Sequence, residues 1–214
     1  MLITQEDIVK MEQRYRTMFI NSVSGYKSLQ MVGTSSTDGI SNLALVNSVF
    51  HVGANPPLLG MVFRPEGLTS QDTLKNIMET GQCTLNNILP EWYERAHQTS
   101  ARYGRDESEF DLCGFKKAYL NKFKAPFVEE STIKIGLEIR DIIEVSLNNT
   151  NIVIGEIICL ILDEQLIATD GYVDIEKAGS VTVAGLDSYF TTQALGRLTY
   201  ARPGKYPERL SVEQ

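Results

Sequence analysis

The chain has 214 residues, 43% of them hydrophobic, which is enough to bury a full core and is long for one average domain yet short for two. Its 20 basic residues face 27 acidic ones, and the resulting charge of −7 with a pI near 5.0 argues against a nucleic-acid face or an anionic membrane surface. Cys83, Cys113 and Cys159 are odd in number and far apart, so with only His51 and His97 beside them they supply neither a disulfide framework nor a metal cluster, and a cytoplasmic home is expected.

The N-terminus carries acids early and has no apolar core of a signal peptide, and no stretch reaches the ~18 apolar residues of a membrane span. Residues 4–18 predict a helix, with Thr4 as cap, Asp7 at the third position, and Ile8, Met11, Tyr15 and Met18 at helical spacing. The pattern then changes to period two. Ser28 to Ser36 predicts a strand, Asp38-Gly39 a tight turn, and Ser41 to Phe50 the partner strand.

Asn55-Pro56-Pro57 stops that strand, and Leu58 to Phe63 is short and apolar enough for a buried one. Thr69 and Ser70 offer caps to a helix over 71–79 closed by Gly81, after which Cys83 to Ile88 is extended. Residues 91–127 are the least regular: a helix over Glu91 to Ala101, a charged loop from Arg102 to Glu109, then a segment without an assignable period. From Ile133 to Leu147 apolar residues hold the odd positions, which predicts a long strand bulged at Asp141. "NNTN" turns it into Ile152 to Leu162, forming a second hairpin, and a short helix from Ile175 precedes the tail.

No repeat or linker marks a boundary, so one domain over 1–214 is expected, with an N-terminal helix and an extension over about 176–214. Antiparallel hairpins with helices inserted between them predict a mainly β protein, a closed or nearly closed antiparallel barrel with peripheral helices.

If that barrel closes, several polar groups converge. Thr34, Ser35 and Ser36 end one strand, Asn42, Asn47 and Ser48 lie on the next, Arg64 ends the third, and Asp72-Thr73-x-x-Asn76 opens the helix. Hydroxyls, amides, a guanidinium and a helix N-terminus suit a phosphate joined to a planar heterocycle. Each feature also has a bland reading. Thr34 to Ser36 before Asp-Gly is ordinary turn chemistry, Arg64 before Pro65 is a solvated strand end, and Thr73 and Asn76 serve any helix start. Asn42 and Asn47 are less ordinary, because a strand asparagine that is buried needs partners. Asp72 beside a phosphate would be repulsive, so it is expected to cap the helix or hold Arg64.

"TSSTDGISNLALVNSVFHVGANPPLLGMVFRP", followed by "DTLKNI" and "CTLNNI", resembles the FMN-binding split-barrel family of flavin reductases, including its flavoredoxin-like members and monooxygenase reductase components. The resemblance is dense over residues 28–90 and thin beyond. It implies a Greek-key split barrel and FMN contacts from Thr34, Ser35, Ser36, Asn42, Asn47, Ser48, Arg64, Thr73 and Asn76. It also implies a symmetric homodimer, with Tyr200 and Tyr206 approaching the neighbouring subunit's pocket, and NAD(P)H as hydride donor. Reduced flavin would pass to a monooxygenase or another acceptor, with no catalytic side chain required.

Three competing readings are a non-catalytic FMN-binding or sensing protein, a pyridoxamine-phosphate-oxidase-like enzyme, and an oligonucleotide-binding barrel, the last disfavoured by acidity. His51 is a candidate proton donor whose bland reading is an exposed strand end. Trp92, Tyr93, Tyr103 and Phe110 read either as a lid or as helix packing. The three cysteines read as small core residues.

Overall fold

The structure is a computed structural model and describes residues 1–65, 72–120 and 123–210. The N-terminal segment forms two helices, α1 (Gln5–Lys10) and α2 (Gln13–Val23), where one was expected. Thr4 and Asp7 make a reciprocal capping box, with Thr4 N–H donating to the Asp7 carboxylate at 2.8 Å. The chain breaks at Met11 because Glu12 starts a helix of its own: its carboxylate accepts from the Tyr15 N–H at 2.9 Å. Neither helix buries a residue.

The strands follow the alternation closely. They begin with β1 (Lys27–Ser28), β2 (Gln30–Ser35) and β3 (Ser41–Val46), and Gly39 takes the positive φ of +84° that the intervening turn demands. The expected strand over Ser41 to Phe50 is broken at Asn47, and Phe50 starts a separate β4 (Phe50–Ala54). Then come β5 (Pro57–Phe63), α3 (Asp72–Thr80) and β6 (Gln82–Asn87), with Gly81 at φ +69° closing the helix. The cap candidates Thr69 and Ser70 lie outside the described residues.

The irregular middle resolves into a 3₁₀ turn at Pro90–Trp92, α4 (Tyr93–Gln98), α5 (Glu109–Leu112), β7 (Lys117–Ala118) and β8 (Phe127–Val128). The long hairpin is β9 (Ile133–Val145) and β10 (Thr150–Leu162), and β11 (Thr182–Ala184) pairs with β12 (Ser188–Phe190). Opposite β10, Asp141 faces Ile154 and Ile139 faces Gly155, so the inserted residue is Arg140, one before the expected bulge. The helix expected from Ile175 is instead a run of turns over 175–179, ended by Gly179 at φ +72°.

One seven-stranded antiparallel sheet carries the fold, in the order β3-β2-β6-β9-β10-β5-β4. Its edge strands are consecutive in the chain. Laid flat, seven strands would put those edges about 29 Å apart at ~4.8 Å per step. The link from Val46 to Phe50 spans at most about 14 Å, so the sheet must curl until its edges meet. Ser48, in that link, bonds to Val62 of β5 and sews the seam.

Strand β2 is buried on both faces and divides the core. Val32 points inward with Val46, Met61, Cys83, Leu85, Leu137 and Val153, and Ile77 of α3 joins them. Met31 points outward into a second cluster with Leu43, Trp92, Phe110, Phe115 and Val183, under α4, α5 and β11. The outer half of β9 leaves this core, and Ile143 is solvent-exposed despite its place in the alternation.

Candidate functional site

A cavity of about 330 Å³ opens where the barrel edges meet. Leu45 and Val46 of β3, Val62 and Phe63 of β5, and Val183 and Leu186 beyond them give it apolar walls. Four of the expected site residues line it: Asn47, Ser48, Arg64 and Thr73.

These four are held in different ways. The Ser48 hydroxyl donates to the Val62 carbonyl at 3.0 Å and accepts from the Val62 N–H at 3.2 Å, so it is spent on the seam. The Asn47 amide donates to the Gly185 carbonyl at 3.3 Å, which leaves its own oxygen as an acceptor at the wall. Arg64 is exposed at the end of β5 and forms no ion pair with Asp72, against one of the two roles expected for that carboxylate. Lys27 stands close behind, its ammonium 3.4 Å from the same Gly185 carbonyl and 3.3 Å from the Asn21 amide oxygen. Burial, and then the charge of Arg64, hold the Lys27 pKa below the ordinary lysine value.

Thr73 belongs to two environments. It faces the cavity from the first turn of α3, and its hydroxyl accepts from the Asn42 amide at 2.9 Å. That bond opens a closed network: Asn42 also donates to Thr34 at 3.3 Å, and Asn76 donates to the same Thr34 hydroxyl at 3.1 Å. All four side chains are buried, and the network pins the start of α3 to the β2–β3 hairpin. Ser35 and Ser36 serve the turn, the Ser36 hydroxyl accepting from Ile40 N–H at 3.1 Å and Ser35 donating to the Ser36 carbonyl at 3.3 Å. Thus Thr34, Ser35, Ser36, Asn42 and Asn76 are engaged in the frame, and none of them lines the cavity.

The opposite wall was not legible as a site. His97, Thr99, Ser100 and Arg102 come from the end of α4 and the loop after it. They follow no motif; only the packing of Trp92 and Ala96 into the outer cluster turns this helix end toward the seam. His97 is fixed by Tyr189 of β12, whose hydroxyl lies 2.6 Å from Nδ1. Nearby, the Glu109 carboxylate is buried and accepts from the Leu43 N–H of edge strand β3 at 2.9 Å. Burial, reinforced by the charges of Asp72 and Glu107, pushes its pKa above the ordinary glutamate value against the lowering by its backbone hydrogen bonds.

Other candidates resolve simply. His51 is exposed on β4 and does not line the cavity. Trp92 and Phe110 are core residues, Tyr103 packs against them, and Tyr93 rests on Tyr189, so packing and not a lid is their role. Cys83 and Cys113 are buried and Cys159 half-buried; burial raises the Cys83 thiol to about 12. Among the described residues no group of three or more histidine, cysteine or acidic side chains is placed to hold a metal ion, and no helix is long and apolar enough to cross a membrane.

A cavity with apolar walls, hydroxyl and amide groups among its lining, Arg64 and Arg102 at its surface and the first turn of α3 beside it suits an anionic molecule with an apolar ring. Comparison with known proteins agrees. A protein of Shewanella frigidimarina NCIMB 400 assigned as a flavin reductase with a split barrel domain is 45% identical and superposes with a TM-score of 0.90, over 94% of this chain and 100% of that one. Nitrilotriacetate monooxygenase component B from Bacillus cereus shares the fold at 18% identity, with a TM-score of 0.80 over 92% of this chain and 98% of that one. So does the 2-nitrobenzoate 2-nitroreductase NbaA of Pseudomonas fluorescens, at 22% identity and a TM-score of 0.78, over 97% and 99%. The family model for the flavin reductase like domain matches residues 23–176, a span that includes every strand of the seven-stranded sheet and α3, and the chain belongs to that split-barrel family.

Proposed function

We propose that the protein binds FMN in the seam cavity and acts as an oxidoreductase that passes a hydride from NAD(P)H to the flavin. One observation carries this reading: the cavity has apolar walls for a ring system and, at the end of β5 and the start of α3, a guanidinium and a helix N-terminus for a phosphate. The volume, near the lower end for small-molecule sites, favours the mononucleotide over a dinucleotide flavin.

In this reading Arg64 and the first turn of α3 hold the phosphate, with the Thr73 hydroxyl turned to it by Asn42. The Asn47 oxygen accepts from a ring N–H, and Val46, Val62 and Phe63 keep water from one ring face. Bound there, the flavin supplies the hydride-accepting chemistry, and the protein supplies stacking and alignment. No side chain need act as nucleophile.

A second copy of the chain belongs to this proposal. Beyond β12 the chain leaves the barrel as an arm, held by the Arg197–Asp170 ion pair at 2.6 Å, with Leu195, Tyr200 and Tyr206 each at least 90% exposed. Such side chains are expected to be covered in a homodimer, which sedimentation would detect. A monooxygenase or another acceptor would then take the reduced flavin.

The test is direct. Purified protein should be yellow or should quench added FMN, and denaturation should release FMN by mass. NADH or NADPH oxidation with FMN present should exceed the protein-free rate. Binding without turnover would leave a flavin carrier, and turnover with no retained flavin would make FMN a substrate.

A further inference from the structure

Among the described residues, the His97–Tyr189 pair is a titratable contact on the cavity wall that the flavin reading leaves unused. His97 lines the cavity, and Tyr189 is reached through β12, which pairs with β11 so that Tyr189 stands opposite the cavity residue Val183. The imidazole meets the phenol edge-on, with ring centroids 5.7 Å apart at 87°, and Tyr93 packs against the far side at 5.3 Å. Tyr189, braced by Tyr93, therefore fixes the imidazole at the cavity wall.

Which proton sits between them decides what the cavity sees. A phenol hydroxyl is a better donor than a neutral imidazole N–H, and imidazole nitrogen a better acceptor than phenol oxygen. The phenol also keeps its proton: burial raises the Tyr189 pKa to about 12. A hydroxyl donated to Nδ1 puts the imidazole proton on Nε2.

We propose that Tyr189 donates to Nδ1 of His97 and that His97, through Nε2–H, binds a carbonyl oxygen of the planar ligand in the cavity. Two sources share that chemistry, a ring carbonyl of the flavin and the carboxamide of a nicotinamide. The proposal rests on the flavin-binding reading above and assigns that site a neutral donor from the end of α4. Tyr189 is a positioning residue, acting only through His97.

The experiment compares wild type with His97→Ala, His97→Gln and Tyr189→Phe. FMN titration by fluorescence gives Kd, and steady-state oxidation of NADH and NADPH gives KM apart from kcat. His97 is exposed, so thermal melting should not move in either His97 variant. His97→Ala is expected to raise one of the two constants about tenfold, the yield of one well-formed hydrogen bond. A rise in the FMN Kd identifies the flavin carbonyl, and a rise in KM alone identifies the carboxamide. Glutamine places an amide N–H near the position of Nε2, so His97→Gln should recover most of the loss, while Tyr189→Phe should show a smaller loss of the same kind.

Two-bond proton–nitrogen spectra of wild type should report the Nε2–H tautomer, and of Tyr189→Phe a mixture. Unchanged constants in His97→Ala, a glutamine variant no better than alanine, or an Nδ1–H tautomer would each overturn the proposal. Wild type that takes up no flavin would instead remove the function reading on which the proposal stands, with the tautomer still measured independently.

Discussion

Asn42 and Asn47 lie on one short stretch of chain, are the same residue type, and answer to opposite needs. Asn42 is 6% exposed and spends both amide hydrogens inside the barrel, on Thr34 and Thr73. Asn47 donates once across the seam and keeps its oxygen for the cavity. The difference follows from the bend after Val46: before it, β2 and α3 supply the partners of Asn42, and after it the chain is crossing from one sheet edge to the other. Polar residues in a strand therefore mark either the frame that holds a site or the site itself, and partner count separates the two.

The largest break on the frame side should come from Gly33→Ala. Gly33 precedes Thr34 on β2, and an added Cβ would run into the Pro126 carbonyl oxygen and lie 2.5 Å from the Thr84 hydroxyl. Urea denaturation should register a loss of about 3 kcal/mol, the upper end for overpacking. On the cavity side, Arg64→Ala should raise the FMN Kd about 10- to 100-fold, as expected for lost charge-assisted bonds, with melting unchanged. Asn76→Ala tests the reverse: a loss of about 1–2 kcal/mol in stability from the broken bond to Thr34, and an FMN Kd within about twofold of wild type. An Asn76 variant that binds poorly, or an Arg64 variant that melts early, would erase the distinction.

The smallest effect is a pH dependence at Glu109, the frame's buried acid. Its folded pKa is raised by burial, so the folded protein holds this proton more tightly than the unfolded chain. That contribution is complete below the ordinary glutamate pKa and is lost as pH rises through the raised folded value. Glu109→Gln keeps an oxygen for the Leu43 N–H and has no proton to lose. The variant should gain stability on wild type as pH rises across that window, and a constant difference would refute the assignment.

The barrel was legible where local physics dictates the outcome. Period-two hydrophobicity, the Asp38-Gly39 turn and the Pro56-Pro57 stop each act within a few residues, so β2, β5, β9 and β10 appear close to where the pattern puts them, and β3 starts at Ser41 as expected but ends early at Val46. Residues 109–128 were opaque because Phe110, Phe115 and Val128 are buried by distant partners and share no period. The same cause hid half the cavity: His97 and Arg102 become wall residues only after α4 docks on the outer cluster. The frame residues Thr34, Asn42 and Asn76 were visible as a polar group, but nothing local says that they bond to one another rather than to a ligand.

Ser48 fastens the sheet to itself with one hydroxyl, and the cavity proposed for the coenzyme lies along that fastening. Occupancy and latching are then a single equilibrium seen from two sides: a molecule that prefers the latched form must, by the same factor, suppress its unlatching. Deuterium uptake at the Val62 amide becomes a gauge of coenzyme binding that needs no colour and no turnover.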